Sequence, residues 1–302
     1  MTRIATVPMQ TLMQSAMLRT QRSLADAQEQ LSTTKKVQSY ADLGTDSGRV
    51  LSARSMLAQY DAQSRVASRV DTTLSFYQSR LGQVDTTVSA LRKTLLDVIG
   101  TGNASDLVGE ASAAFDQFKA AMNAADGGKY LFAGGQTGAA PLVPQTLADT
   151  VGLDRDAAFT NDQTRLSARI APGEDMSFGI VASDFGKNFV AAFRTLAEMG
   201  PVGERPTQAQ IDAMTQAVSQ MDAGLADLRV ADAGNGRAQN RVDDMVKRAD
   251  DRTLLLTSAV GDVEDADMGQ VAIDISLRKT LLESSYSAFA QINGLSLANY
   301  LR

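Results

Sequence analysis

Residues 70–98 read VDTTLSFYQSRLGQVDTTVSALRKTLLDV. Within them Val70, Leu74, Tyr77, Leu81, Val84, Val88, Leu91, Leu95 and Val98 follow steps of four and three without a miss. A helix of 3.6 residues per turn gathers such positions onto one stripe. A stripe sustained this long is a seam that another helix must cover. Val70, Leu74, Tyr77, Leu81, Val84, Val88, Leu91 and Leu95 are therefore the expected rod seam. The same phase runs back through Ala67, Gln63, Tyr60, Met56 and Ala53. One helix from Ser47 to Ile99 is expected, about 80 Å long at 1.5 Å per residue. Thr101-Gly102-Asn103 ends it.

Working outward, the same rhythm recurs on both sides. Met13, Met17, Thr20, Leu24, Ala27 and Leu31 mark an earlier helix over 10–36, and Leu107, Ala111, Ala114, Phe118, Ala121 and Ala125 a following one. In the C-terminal arm, Ile211, Met214, Val218, Met221, Leu225 and Leu228 form a seam. Its phase crosses polar Asp232, Asn235 and Gln239 and resumes at Val242, Val246, Ala249, Thr253, Leu256, Val260 and Val263. A last helix carries Met268, Val271, Ile275, Leu282, Phe289 and Ile292. Each arm must bury its seam, and the other arm is the nearest partner, which lays the first and last helices side by side.

Proline supplies the punctuation. Pro8 apart, the prolines are Pro141, Pro144, Pro172, Pro201 and Pro206. Proline breaks a helix interior at a cost of about 3 kcal/mol, so two proline-free arms flank a different middle. There Arg165 to Ile170 alternates, Ala171-Pro172-Gly173 turns and Met176 to Val181 follows, which predicts a hairpin. Phe185 to Met199 reads as a short helix. The expected fold class is mainly α: a long antiparallel coiled-coil or helical-bundle rod made of N- and C-terminal arms, with a small inserted α+β middle domain. Residues 1–45 and 265–302 are the expected terminal helices, 46–133 and 206–264 the rod, and 134–205 the insertion.

Composition removes most chemistry. The 302 residues include no histidine and no cysteine, which excludes Ser-His-Asp and Cys-His catalysis, Cys/His zinc sites and disulfides. An enzyme would need paired carboxylates, and the middle offers only scattered Asp154, Asp156, Glu174 and Asp175. No catalytic residue, cofactor or metal is expected. A net charge of −6 opposes the phosphate attraction behind nucleic-acid binding. No apolar run is long enough to insert into a membrane, and the first twenty residues lack the continuous apolar stretch of a secretory signal. Asp262, Glu264, Asp265 and Asp267 lack the glycine and glutamate of a calcium loop and read as a solvated helix junction. Arg237, Arg241, Arg248 and Arg252 interleave with Asp243, Asp244, Asp250 and Asp251, a pattern of pairing between neighbouring turns.

Three segments carry a family likeness. Leu31-Ser32-Thr33-Thr34-Lys35-Lys36-Val37, Gly236-Arg237-Ala238-Gln239-Asn240-Arg241-Val242 and Val263-Glu264-Asp265-Ala266-Asp267-Met268 resemble stretches of the flagellin family. Thr34 stands where that family has glycine. Gly127-Gly128-Lys129-Tyr130-Leu131-Phe132-Ala133-Gly134 and the ending Leu295-Ser296-Leu297-Ala298-Asn299-Tyr300-Leu301 are similar to the members that join hook to filament.

The resemblance implies a structural subunit of the bacterial flagellum, extracellular and exported without a cleaved signal peptide, with the terminal helices as an inner assembly layer and the insertion at 134–205 facing outward. It implies an adaptor between the first hook-associated protein and flagellin, in contact with copies of itself and, before export, with a flagellar chaperone. The terminal helices would be the assembly interface, through Met13, Met17, Leu24, Leu31, Ile275, Leu282, Phe289 and Ile292. A filament flagellin and a flagellin-like surface protein are the alternatives. The latter would need aromatic platforms in the middle, where Phe159, Phe178, Phe185, Phe189 and Phe193 stand.

Overall fold

A computed structural model describes residues 3–171 and 173–298, with side-chain burial described for 11–171 and 173–291. Six helices dominate: α1 Arg3–Thr33, α2 Ser47–Thr101, α3 Leu107–Met122, α4 Lys187–Glu198, α5 Gln208–Glu264 and α6 Met268–Ala298. Two small hairpins lie between α3 and α4: β1 Ala125–Asp126 with β2 Lys129–Tyr130, and β3 Leu166–Ala171 with β4 Glu174–Phe178. The fold is mainly α with long helices, as the heptad phase requires. The chain divides into two compact units, Met1–Tyr60 with Asp251–Arg302 and Asp61–Asp250. The boundary falls inside α2 and α5.

Local chemistry sets the helix ends. α2 stops at Gly102, whose φ of 67° suits the left-handed position after a helix, and its amide donates to the Val98 carbonyl. α5 opens after Pro206 with a reciprocal cap. The Gln210 amide donates to Thr207 Oγ1, and the Thr207 amide donates to Gln210 Oε1. α6 is capped by Asp267, which accepts from the amides of Gly269 and Gln270. α1 begins at Arg3 rather than Gln10 and includes Pro8; it ends at Thr33 rather than Lys36.

In the 61–250 unit, Val70, Leu74, Tyr77, Leu81, Val84, Val88, Leu91 and Leu95 are all buried. On α5, Met214, Val218, Met221, Leu225 and Leu228 are buried too. The two helices run antiparallel: Arg92 makes a two-pronged ion pair with Asp222, and Asn235 Nδ2 donates to the Leu74 carbonyl. The middle segment shares this core. Phe185, Phe189 and Phe193 join Phe115, Phe118 and Phe132 in one cluster with the α2 and α5 residues. Edge-on ring contacts order it, Phe115 to Phe193 at 5.2 Å and Phe118 to Phe189 at 5.8 Å. α5 approaches closely at Gly224, where a Cβ would lie 2.5 Å from the Phe189 ring. The β3–β4 hairpin lays Ile170 and Met176 on a second, smaller cluster with Ala67, Val70, Leu74 and Val242.

Two of the α5 arginines, Arg241 and Arg252, reach partners on other elements and not along the helix. Arg241 binds Glu174 of β4 at 2.6 Å, and Arg252 lies over the Tyr60 ring and donates to its hydroxyl.

Candidate assembly surface

In the terminal unit, α1 and α6 pack against each other and run antiparallel. The Lys36 amide donates to the Glu264 carbonyl, and Gln21 Nε2 donates to the Tyr286 hydroxyl. Of the residues expected at the assembly interface, Met17 is buried and Met13 and Leu24 are half-buried on α1, while Leu31 is exposed. On α6, Ile275, Leu282 and Phe289 are half-buried. The Ile292 side chain lies outside the described residues, as does the burial of the whole Leu295 to Leu301 ending. One partner helix covers only part of each stripe.

α6 also carries apolar residues that α1 does not cover. Ile273, Leu277 and Leu281 recur every four residues and are each at least half exposed. At 100° per residue they fall on a different face from Val271, Ile275, Leu282 and Phe289. A helix that is apolar on more than one side belongs in an interior. Leu254 and Leu255 of α5 are about 70% exposed, on two different flanks of the helix.

The turn after α1 is locked to the α5–α6 junction. Thr34 takes a left-handed φ of 60°, so its amide reaches back to the Gln30 carbonyl and its own carbonyl accepts from the Ala266 amide. Only glycine adopts that conformation freely. That is the physical reason a glycine is expected there, and Thr34 is strained. Lys35 then reaches Asp265 at 2.5 Å and Glu264 at 3.4 Å.

Glu264 is the centre of this cluster. It is buried and accepts from Arg54 Nε at 3.1 Å and Nη2 at 2.6 Å. Those bonds, with Lys35 adding to them, hold its carboxyl below the usual value. Arg54 also lies over the Tyr40 ring at 5.6 Å. The junction expected at residues 262–267 is present, but Glu264 is not solvated. The α5 phase points to its neighbour Val263, which is only half-buried, so periodicity gave no signal for the burial of Glu264.

The signature Gly127 to Gly134 has a structural reading that periodicity missed. Gly127 and Gly128, with φ of 56° and 81°, make the two-residue turn of the β1–β2 hairpin. Phe132 then enters the core between Tyr77 and Phe185. The Tyr77 hydroxyl donates to the Leu131 carbonyl at 2.8 Å, and burial pushes its pKa up to about 12. Gly134 ends the motif at φ 66°, where a Cβ would fall 2.3 Å from Asp162 Oδ1. No described helix is long and apolar enough to cross a membrane.

The sequence matches the family model of the bacterial flagellin N-terminal helical region over residues 4–137 and that of the C-terminal helical region over 211–301. It is 25% identical to flagellar hook-associated protein 3 of Salmonella typhimurium, with 98% of each chain covered. It is 25% identical to the Escherichia coli protein of the same name, over 89% of this chain and 90% of that one. In fold it is similar to a flagellar hook-associated protein of Vibrio parahaemolyticus, at a TM-score of 0.62 and 19% identity, over 74% of this chain and all of that one. Matched at both arms by models of one family, the chain belongs to the flagellin family of flagellar structural proteins.

Proposed function

We propose that this chain is an adaptor subunit at the junction between hook and filament. It seats on the first hook-associated protein, offers its other face to flagellin, and packs against copies of itself. The observation that carries this reading is the near full-length similarity to hook-associated protein 3. The uncovered apolar residues of the terminal unit agree with it, since a subunit ordered by its neighbours keeps such faces until they are covered. The assembly interface is the α1–α6 pair, through the residues named above and the Ile273, Leu277 and Leu281 face. Before export a chaperone shields α6, and the chain reaches the extracellular flagellum through the flagellar export apparatus.

Filament flagellin remains the second reading, because both family models that match are those of flagellin. The surface-binding alternative loses most of its platform: Phe185, Phe189 and Phe193 are fully buried. Head-to-tail contacts of flagellins are heterologous and propagate. An adaptor stops because each face prefers a different partner. A deletion strain separates the two readings. The junction reading expects hooks without filaments and flagellin released into the medium as monomer. Normal attached filaments in that strain, or long filaments grown by the purified protein alone, would contradict it.

A further inference from the structure

Helix α5 contains a weak point that its packing does not require. Gly234 and Gly236 sit deep inside the 57-residue helix. A Cβ at Gly236 would meet nothing within 4 Å, and one at Gly234 only the Arg237 guanidinium at 3.8 Å. Gly224 of the same helix is different, because Phe189 occupies the place of its Cβ. Each unneeded glycine weakens a helix roughly five-fold relative to alanine.

Asn235, between them, points inward and is 3% exposed. Its Nδ2 is bound to the Leu74 carbonyl, but its Oδ1 is buried without a partner. A buried acceptor left unpaired favours any opening that lets water reach it.

The same place is a gap in the core. The larger cluster ends on α5 at Leu228 and Ala231, and the smaller one resumes at Ala238 and Val242. A cleft of about 400 Å³ opens beside it, lined by Ala231, Gly234, Asn235 and Ala238 with Leu74 and Gly179.

From these four features together we infer that residues 231–238 form a hinge in α5, a segment that opens locally while the clusters on either side stay packed. Opening lets water reach Asn235 Oδ1 and allows the helix to bend between the two clusters. Local openings of this kind cost less than global unfolding and show in amide exchange.

Hydrogen exchange by mass spectrometry on the full chain tests the hinge. Amides of 231–238 should exchange at least ten-fold faster than those of 214–228 and 242–249. The double variant Gly234→Ala/Gly236→Ala should slow 231–238 by about twenty-fold with little change in the flanks. Gly82→Ala is the control. Its Cβ also meets nothing within 4 Å, but it lies on α2. It should raise the melting temperature and leave exchange at 231–238 within two-fold of the original. If 231–238 exchanges no faster than both flanks, or if Gly82→Ala slows it as much as the double variant, the hinge does not exist.

Discussion

The two units solve the same problem differently. In the 61–250 unit every heptad residue from Val70 to Leu95 is buried, and a phenylalanine cluster closes the core. In the terminal unit the α1–α6 pair half-buries one stripe and leaves Ile273, Leu277 and Leu281 in the open, and on α5 Leu254 and Leu255 are exposed as well. The four-and-three seam recurs in both units, although α6 carries apolar residues on a second side as well. What differs is the number of covering elements, since α3, α4 and the hairpins all lie in residues 107–198 and none lies in the terminal unit. The first unit carries its own partners. On the assembly reading proposed above, the second receives them from other subunits.

The largest test of that contrast places one charge in each unit. Val84→Asp buries a carboxylate where Val84 is fully buried and should cost more than about 4 kcal/mol. Leu277→Asp, at a residue 56% exposed, should change the monomer's stability by under about 0.5 kcal/mol yet abolish assembly. Thermal melts and sedimentation of both variants check this. A similar loss of stability in the two would erase the distinction.

A smaller effect is expected at the lock within the terminal unit. Arg54→Met leaves the buried Glu264 with Lys35 alone and should cost on the order of 2 kcal/mol, read as earlier protease entry at residues 34–46. The pH dependence has a definite sign. Glu264 has a lowered pKa in the folded chain, so its stabilising share is complete above the ordinary value of 4.5. That share is lost as pH falls through the lower folded value. Glu264→Gln should flatten this acid limb, which acid titration of the unit's melting would show.

The smallest expected effect is a gain. Thr34→Gly relieves a β-branched residue at φ 60° and should stabilise the α1 end by about 0.5–1 kcal/mol, the strain relieved less the extra entropy glycine loses. A thermal melt showing destabilisation instead would mean that the Thr34 hydroxyl, bound to the Thr33 carbonyl, outweighs the strain.

Much of the architecture was legible because it is periodic. The Val70–Val98 stripe fixed α2 to within two residues at its end, and the proline boundaries marked the β3–β4 hairpin and α4. What periodicity could not show was set by single residues acting over long sequence separations. The β1–β2 hairpin is too short to alternate, and only Gly127-Gly128 announced it. Glu264 looked like one more acid in a polar junction. Its burial depends on Arg54 and Lys35, which are 210 and more residues away in sequence. Arg241 and Arg252 read as paired along α5 because neighbouring turns offer aspartates, but they reach Glu174 and Tyr60 on other elements. For the assembly surface, the seam of α6 was visible, whereas the Ile273, Leu277 and Leu281 face stood out only once α1 was seen to cover the other side.

On the proposed reading, the terminal unit waits for neighbours while the 61–250 unit does not. Limited trypsin digestion of the verified monomer, followed by mass spectrometry, measures this directly. Arg19, Arg22 and Lys279 are exposed in α1 and α6, and Arg80 and Arg92 lie in α2 of the packed unit. Early cuts are expected at the first three, leaving a resistant fragment that retains Arg80 and Arg92 uncut, with the early cuts suppressed once subunits assemble. Termini in the monomer as resistant as the 61–250 unit would contradict it.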